Sequence, residues 1–230
     1  FALPPFEFGT HAARIEIPDD NLPIDNSFYF LIRVKEKLPT LCIGSKDDSF
    51  FLTTALKTGS SSGSAIDLKW IETDQISDET LQKYSCVFLC NALPLAGQEI
   101  IKIEQYVRSG GLLVMFPGNN AAIGDYEAWR CLPGGRPSSI VNILMRERKR
   151  MLRWEKPHHP LLRTLKFTGG APVITIRRNL EWETLQDKAE LLISSGGEHP
   201  FLLWRKFERG QVILLAVAAD RTWSDFPLSP

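Results

Sequence analysis

The chain has 230 residues, 43% of them hydrophobic, and its 27 Lys and Arg residues are balanced by 27 Asp and Glu residues. This length fits one large domain, or one domain together with a fragment of another. Because a chain without net charge has no long-range attraction for nucleic acid or for an anionic membrane, neither is an expected partner of its surface.

The first 35 residues predict a pair of strands joined by a long turn. Residues 13–17 alternate between apolar and polar side chains, and SFYFLIRV at 27–34 has the composition of a second strand. Because a lone two-stranded sheet is marginal in water, residues 1–35 must either pack on the following domain or have lost neighbouring strands. We favour the second alternative and interpret these residues as the closing strands of a truncated β-sandwich. We expect this segment either to pair with another chain through its open edge, which is strand-mediated self-association through residues 1–35, or to pack loosely.

Residues 37–230 begin with alternating strands and helices. The predicted order is a strand at 40–44, a helix at 47–58, a strand at 65–71, a short helix within 74–84, a strand at 86–90, a helix around 100–107 and a strand at 112–116. The strands at 86–90 and 112–116 are unbroken apolar runs, which are typical of parallel strands covered on both faces. The pattern predicts an α/β fold with a mainly parallel sheet flanked by helices.

The C-terminal part is rich in predicted strands. They lie at 173–182, 190–194, 201–207 and 211–218, and glycine-containing turns join the later ones, so we expect hairpins there. HPLLRTL at 159–165 predicts a short helix, and residues 220–230 form a final loop. The basic run RERKRMLR at 146–153 has no aromatic stacking residues and is typical of a solvated surface.

Several stretches in order resemble a known family. They are PDDNLPIDNSFYF at 18–30, GGLLVMFPG at 110–118, HPL at 159–161, RGQV at 209–212 and DRTWSDFP at 220–227. This set is similar to the extracytoplasmic region of bacterial membrane proteins related to the Bat (aerotolerance) proteins, which carries a class I glutamine amidotransferase-like domain. The resemblance implies that residues 1–35 are the closing strands of an immunoglobulin-like β-sandwich and that residues 37–230 form a flavodoxin-like, amidotransferase-like domain. It also implies membrane tethering through segments outside this sequence. It implies no defined reaction.

A cysteine-dependent hydrolase or amidotransferase is the alternative function. Cys90 ends a predicted strand before a helix, where a nucleophile can sit against a helix N-terminus, and His159 is its candidate base. However, the neighbours of Cys90 include no glycine, and no H-x-E motif follows. We therefore expect Cys90 to be a buried core thiol. Cys42 lies on another predicted strand and could approach either Cys86 or Cys90.

Other patterns give weaker predictions of ligand sites. The acidic cluster at residues 19–26 lacks an EF-hand pattern and suits turn stabilisation better than Ca²⁺ binding. Gly44 and Ser45 lie between a strand and a helix, where anions bind, but Asp47 and Asp48 would repel a phosphate and suit helix capping. We predict no metal and no cofactor, and a small-ligand sensor at the strand ends is a third alternative.

The leading prediction is a non-catalytic domain that binds other membrane-associated proteins through its strand-end loops. The candidate binding residues follow predicted strands or lie in the final loop: Asn91, Pro117, Asn119, Asn120, Trp223, Asp225 and Phe226. For Trp223 and Phe226 the alternative is that they attach the loop to the core. The resemblance places the parent protein in the cell membrane, with this domain facing the periplasm or the exterior.

Overall fold

The computed structural model describes residues 6–17, 26–58, 65–163, 172–186 and 188–229. The chain divides into two compact units, Phe1–Leu38 and Pro39–Pro230. The predicted acidic cluster, except Asn26, and the GSSSGS loop at 59–64 lie outside the described residues. Within the described residues, no helix is both long and apolar enough to cross a membrane.

The first unit contains a two-stranded antiparallel sheet. Strand β1 (Gly9–Glu16) pairs with β2 (Ser27–Val34) so that Ile15 lies opposite Phe28. Side chains alternate between the two faces of a strand, so one face carries Ile15, Phe28 and Phe30, whereas the other carries mainly polar groups. Ile15 is 55% exposed and Phe28 is 66% exposed, so this apolar face is largely uncovered.

The second unit contains two α-helices and eleven strands among its described residues. In chain order they are β3 (Leu38–Ile43), α1 (Lys46–Thr58), β4 (Ile66–Ile71), β5 (Cys86–Cys90), α2 (Gly97–Arg108), β6 (Leu112–Phe116), β7 (Ser139–Asn142), β8 (Lys149–Trp154), β9 (Val173–Thr175), β10 (Arg178–Glu181), β11 (Glu190–Ser195), β12 (His199–Phe207) and β13 (Gly210–Leu215). Single 3₁₀ turns and loops make up most of the rest.

Nine of these strands form one mixed sheet with the order β4-β3-β5-β6-β13-β12-β11-β8-β9. The neighbours β3, β5, β6 and β13 run parallel to one another. From β13 onward, each neighbour through β12, β11 and β8 to β9 is antiparallel. The remaining pair, β7 and β10, forms a separate two-stranded sheet.

The prediction of a mainly parallel, helix-flanked sheet of the flavodoxin-like or amidotransferase-like kind is therefore wrong. The protein is mostly β, and its large sheet is mixed. The β-rich C-terminal part is not separate from the parallel strands, because its antiparallel hairpins extend the sheet that those strands form. Apolar runs indicate that a strand is covered on both faces, but they do not identify its neighbours.

Helix content is also lower than predicted. The expected helix within 74–84 consists of two single 3₁₀ turns, Thr73–Gln75 and Leu81–Lys83, and residues 159–163 form turns. The predicted strand at 173–182 is split into β9 and β10, which belong to different sheets.

Helix α2 packs against the parallel half of the sheet. Its Ile100, Ile103, Tyr106 and Val107 are buried, as the spacing predicts, whereas Ile101 is exposed. The Tyr106 hydroxyl donates to the Leu112 carbonyl oxygen at 3.2 Å, which ties the helix to the first residue of β6.

Candidate functional site

The carboxyl ends of β3, β5 and β6 lie at one edge of the sheet, because these strands are parallel. Asn91, the first residue after β5, adopts a left-handed conformation with a φ of 49°. Its backbone N–H donates to the Phe116 carbonyl oxygen at 3.1 Å, which draws the next loop close. A Cβ on Gly118 would overlap the Asn91 side chain, so only glycine fits there.

Asn91 organises a hydrogen-bond network at this edge. Its Nδ2 donates to Asp48 Oδ1 at 3.0 Å, and its Oδ1 accepts from the Asn120 backbone N–H at 3.0 Å. The Asn120 side chain in turn donates to the Asn91 carbonyl oxygen at 3.3 Å. Asp48 lies in the first turn of α1, so one network joins the ends of β5 and β6 to that helix.

Ser45 holds Asp48 in place. The Ser45 hydroxyl donates to Asp48 Oδ2 at 2.6 Å, and it accepts from the Asp48 backbone N–H at 3.1 Å. The helix start is therefore capped by its own side chains. With a carboxylate already at this position, the site does not suit a phosphate, in agreement with the sequence-based expectation.

Trp223 attaches the C-terminal segment to the same edge. Its indole Nε1 donates to Asn119 Oδ1 at 2.8 Å, and Arg178 Nη1 donates to that oxygen at 2.6 Å. The Arg178 guanidinium lies over the indole ring, 5.0 Å from its centre. Trp223 is completely buried, so its ring is not available to a partner.

Beside the network lies an apolar groove, which we call the strand-end groove. It has a volume of about 200 Å³ and is lined by Phe51, Leu52, Ala55, Phe116, Ala219, Phe226 and Pro227. Phe226 is half-buried and makes an edge-to-face contact with Phe201, with ring centres 5.1 Å apart. Asp225 Oδ1 accepts from the Thr175 backbone N–H at 2.6 Å, which fixes the segment that carries Phe226.

Cys90 does not have the surroundings of a nucleophile. It is completely buried, and its Sγ lies 3.9 Å from Cys42 Sγ, which is one of the two approaches that the sequence left open. The hydrogen bond with the Cys42 thiol, together with burial, raises the pKa of Cys90 well above its ordinary value. A Cβ on Gly44 would overlap the Cys90 carbonyl oxygen, so the backbone leaves no room beside it.

His159, the candidate base, is engaged elsewhere. Its Nδ1 accepts from the Leu161 backbone N–H at 3.3 Å, and its ring packs against Trp204 in β12, with centres 4.8 Å apart. None of the contacts described for Cys90 involves a histidine. The structure therefore brings together Asn91, Asn119 and Asn120, but not Cys90 and His159.

Sequence reasoning missed several contributors to this edge. The sequence indicates helix capping for Asp48 but not its bond with Asn91, and it does not indicate that Phe51 and Leu52 line a groove. Arg178 was not singled out at all. The available signal was a single Asn directly after one predicted strand and a pair of Asn residues after the next parallel strand. Pro117 is buried in the turn between Phe116 and Gly118.

Comparison with solved structures identifies similar folds. The chain is similar to the cytoplasmic protein STM3548 from Salmonella typhimurium, with 14% identity, a TM-score of 0.59, and coverage of 96% of this chain and 90% of that one. A ThuA-like protein from Bacteroides uniformis gives 17% identity and a TM-score of 0.60, with coverage of 81% and 84%. No protein-family model and no curated protein matches the chain.

A β-galactosidase of family GH42, Gan42B from G. stearothermophilus, also contains a similar domain. The identity is 12% and the TM-score is 0.51, over 81% of this chain but 28% of the enzyme. At these identities, the similarities show the fold alone. The neighbours support the mixed-sheet fold described above and do not carry a function over to this chain.

Proposed function

We propose that the chain is a non-catalytic binding domain whose strand-end groove holds an apolar side chain of a partner protein. The observation that supports this proposal is the groove itself, in which side chains from α1, β6 and the C-terminal turn surround one apolar space. Apolar pockets with a polar rim are typical of protein recognition.

The polar rim is the Asn91 network. Asp48 lies one helical turn before Phe51 and Leu52, and Asn91 is bonded to Phe116, so the network borders the groove directly. Asn119 and Asn120 are exposed beside it and offer polar groups to a partner. Because these bonds already hold the loops in place, little ordering is needed on binding.

The alternatives have less support. A volume of about 200 Å³ is below the roughly 300–1,000 Å³ of small-molecule sites, so the groove suits a side chain better than a metabolite. A hydrolase using Cys90 would need an accessible thiol, and this thiol is buried with a raised pKa. A membrane-anchored parent, an extracytoplasmic position and membrane-associated partners stay predictions from the family resemblance.

The test is a selection of binding peptides from a random library on the immobilised chain. We expect selected peptides to share an aromatic or large aliphatic residue and to lose about tenfold or more in affinity on Phe226→Ala, the effect of removing one anchor contact. Leu228→Ala is the matched control, because Leu228 is exposed in the same turn and does not line the groove.

Circular dichroism and urea unfolding of both variants would show that the fold is kept. Peptides that bind equally well to the wild type and to Phe226→Ala, or that lose affinity equally with Leu228→Ala, would contradict the proposal.

A further inference from the structure

A second cavity lies between α1 and β4, on a different face of α1 from the strand-end groove. Its volume is about 290 Å³, close to the lower limit of the roughly 300–1,000 Å³ of small-molecule sites. Helix positions 46, 49, 50, 53 and 57 form one wall, because residues three or four apart share a face of a helix. Leu68 and Trp70 form the other wall, and we call this space the α1–β4 cavity.

The lining of the α1–β4 cavity is positively charged. It contains Lys46 and Lys57 and, within the described part of the chain, no carboxylate. No ion pair found among the described residues includes either lysine. An anion in this cavity would therefore meet two positive charges and no negative one.

The carboxylates on the same two elements are directed elsewhere. Asp48, in the first turn of α1, is bonded to Ser45 and Asn91 at the strand-end network. Asp67 precedes Leu68 in β4, so its side chain points to the opposite face of that strand. Neither carboxylate is part of the cavity wall.

The other polar groups of the lining leave the binding of an anion to the lysines. The Ser49 hydroxyl donates to the Ser45 carbonyl oxygen at 2.6 Å, and the Thr53 hydroxyl donates to the Phe50 carbonyl oxygen at 3.1 Å. Both hydroxyl protons are thus in use. The indole Nε1 of Trp70 is buried, so this side chain offers the carbon atoms of its ring to the cavity.

The apolar part of the lining is aromatic on both walls. Phe50, on the helix side, is 57% exposed, and Trp70, on the strand side, is half-buried. Lys46 Nζ lies 5.4 Å from the centre of the Trp70 ring. A flat ring that packs against Trp70 would cover the exposed Phe50 and bring an acidic substituent within reach of the Lys46 ammonium group.

We propose that the α1–β4 cavity is a binding site for a small aromatic carboxylate. The ring packs between Phe50 and Trp70, and the carboxylate accepts from the Lys46 ammonium group. Lys57 adds positive charge without direct contact, because it lies about 16 Å farther along the helix axis at about 1.5 Å per residue. The site is independent of the strand-end groove and of the function proposed for it.

The probes that test this inference are benzoate, benzamide, which has the ring without the charge, and acetate, which has the charge without the ring. In an NMR titration of the whole chain at equal ionic strength, we expect saturable benzoate binding that shifts the Trp70 indole signal. Benzamide and acetate should each bind at least about tenfold more weakly, the loss that corresponds to one charge-assisted hydrogen bond or to one buried ring. Equal affinity for either of them, or no saturable binding of benzoate, would overturn the proposal.

The decisive variant is Lys46→Gln, which keeps most of the side-chain stem and removes the charge. Because Lys46 is exposed, we expect the midpoint of urea unfolding to change little and benzoate binding to weaken about tenfold. Lys206→Gln is the matched control, because Lys206 is exposed on β12 and does not line the cavity. An unchanged benzoate affinity in Lys46→Gln, or an equal loss in Lys206→Gln, would also overturn the proposal.

Discussion

Cys90 is held in the thiol form by its surroundings. Its Sγ contacts Cys42, and the side chain lies among apolar groups below α1. Cys86, on the same strand, has its pKa raised to about 12 by burial. Thiolates are the reactive form of cysteine, so neither side chain is set up for nucleophilic chemistry.

We therefore expect iodoacetamide to leave Cys90 unmodified between about pH 5 and pH 9 in the native protein. Mass spectrometry should detect its labelling only after denaturant is added, when all four cysteines react. Rapid labelling of native Cys90 with a midpoint below the ordinary thiol value would contradict this prediction and revive the hydrolase alternative.

Glu79 is the carboxylate with the clearest link between pH and stability. It accepts hydrogen bonds from Lys69 and Lys83, and also from the Tyr84 hydroxyl at 3.1 Å. The lysine contacts lower the pKa of Glu79 to about 2, from an ordinary 4.5. A lowered pKa in the folded state means stabilisation that is present above the unfolded value and is lost as the pH falls toward the folded one.

Glu79→Gln should therefore lower the free energy of unfolding by about 1–2 kcal/mol at neutral pH, a modest figure because both lysines are half exposed. We expect the difference from wild type to shrink between about pH 5 and pH 2 in urea titrations. A difference that stays constant over this range would mean that the effect does not come from the carboxylate charge.

At the scale of elements, α2 packs against the sheet and also holds a long loop in place. Its buried Glu104 accepts from the backbone N–H groups of Arg130 and Cys131, at 2.5 and 2.9 Å. The segment from Asn119 to Pro137 has little regular structure, so these bonds anchor a long loop to a helix. The loop then covers the core through Tyr126, Trp129 and Leu132.

Glu104→Ala should lower the free energy of unfolding by about 2–4 kcal/mol, because the backbone N–H groups of Arg130 and Cys131, the latter buried, would lose their shared acceptor. Limited proteolysis should then cut first between Asn119 and Pro137. Gln105→Ala, at the exposed next position of α2, is the control and should change stability little. An intact loop in Glu104→Ala would show that apolar packing alone retains it.

At the scale of the whole molecule, the first unit is a two-stranded sheet with exposed apolar side chains. Ile15 and Phe28 are a cross-strand pair on one face of this sheet, and both are largely exposed. A two-stranded sheet of this kind normally needs another layer or another strand. Self-association through residues 1–35 therefore stays a prediction, and the face that carries Ile15 and Phe28 is the surface through which we expect it.

We expect sedimentation velocity of the purified chain to show a concentration-dependent dimer. Phe28→Ser should weaken the dimer about tenfold, as for an anchor residue in an interface. Leu31→Ser is the control, since Leu31 lies on the opposite face and is also exposed. A chain that stays monomeric at high concentration would exclude this role for the first unit.

The sequence predicted local structure better than it predicted long-range pairing. The β5-α2-β6 unit follows from apolar runs and helical spacing, and all three elements are present. The prediction of the sheet that surrounds it was wrong, because β13 pairs with β6 across about a hundred residues of sequence and no local pattern encodes that pairing.

The candidate site was predictable only in part, because some of its contacts follow from local patterns and others depend on long-range packing. Asn91, Asn119 and Asn120 were identified from their positions after strands, and they meet because the strands are parallel. The burial of Trp223 depends on Asn119 and Arg178, which are distant in sequence. Composition alone could not distinguish an exposed ring from one that is packed in this way.

The position of β13 between a parallel neighbour and an antiparallel one has a consequence for the order of folding. Strands β11, β12 and β13 follow one another within residues 190–215, so their loops close at low entropic cost. The contact between β13 and β6 must instead close a loop of about a hundred residues. We therefore expect the C-terminal meander to form early, with its last strand as the template on which the N-terminal half assembles.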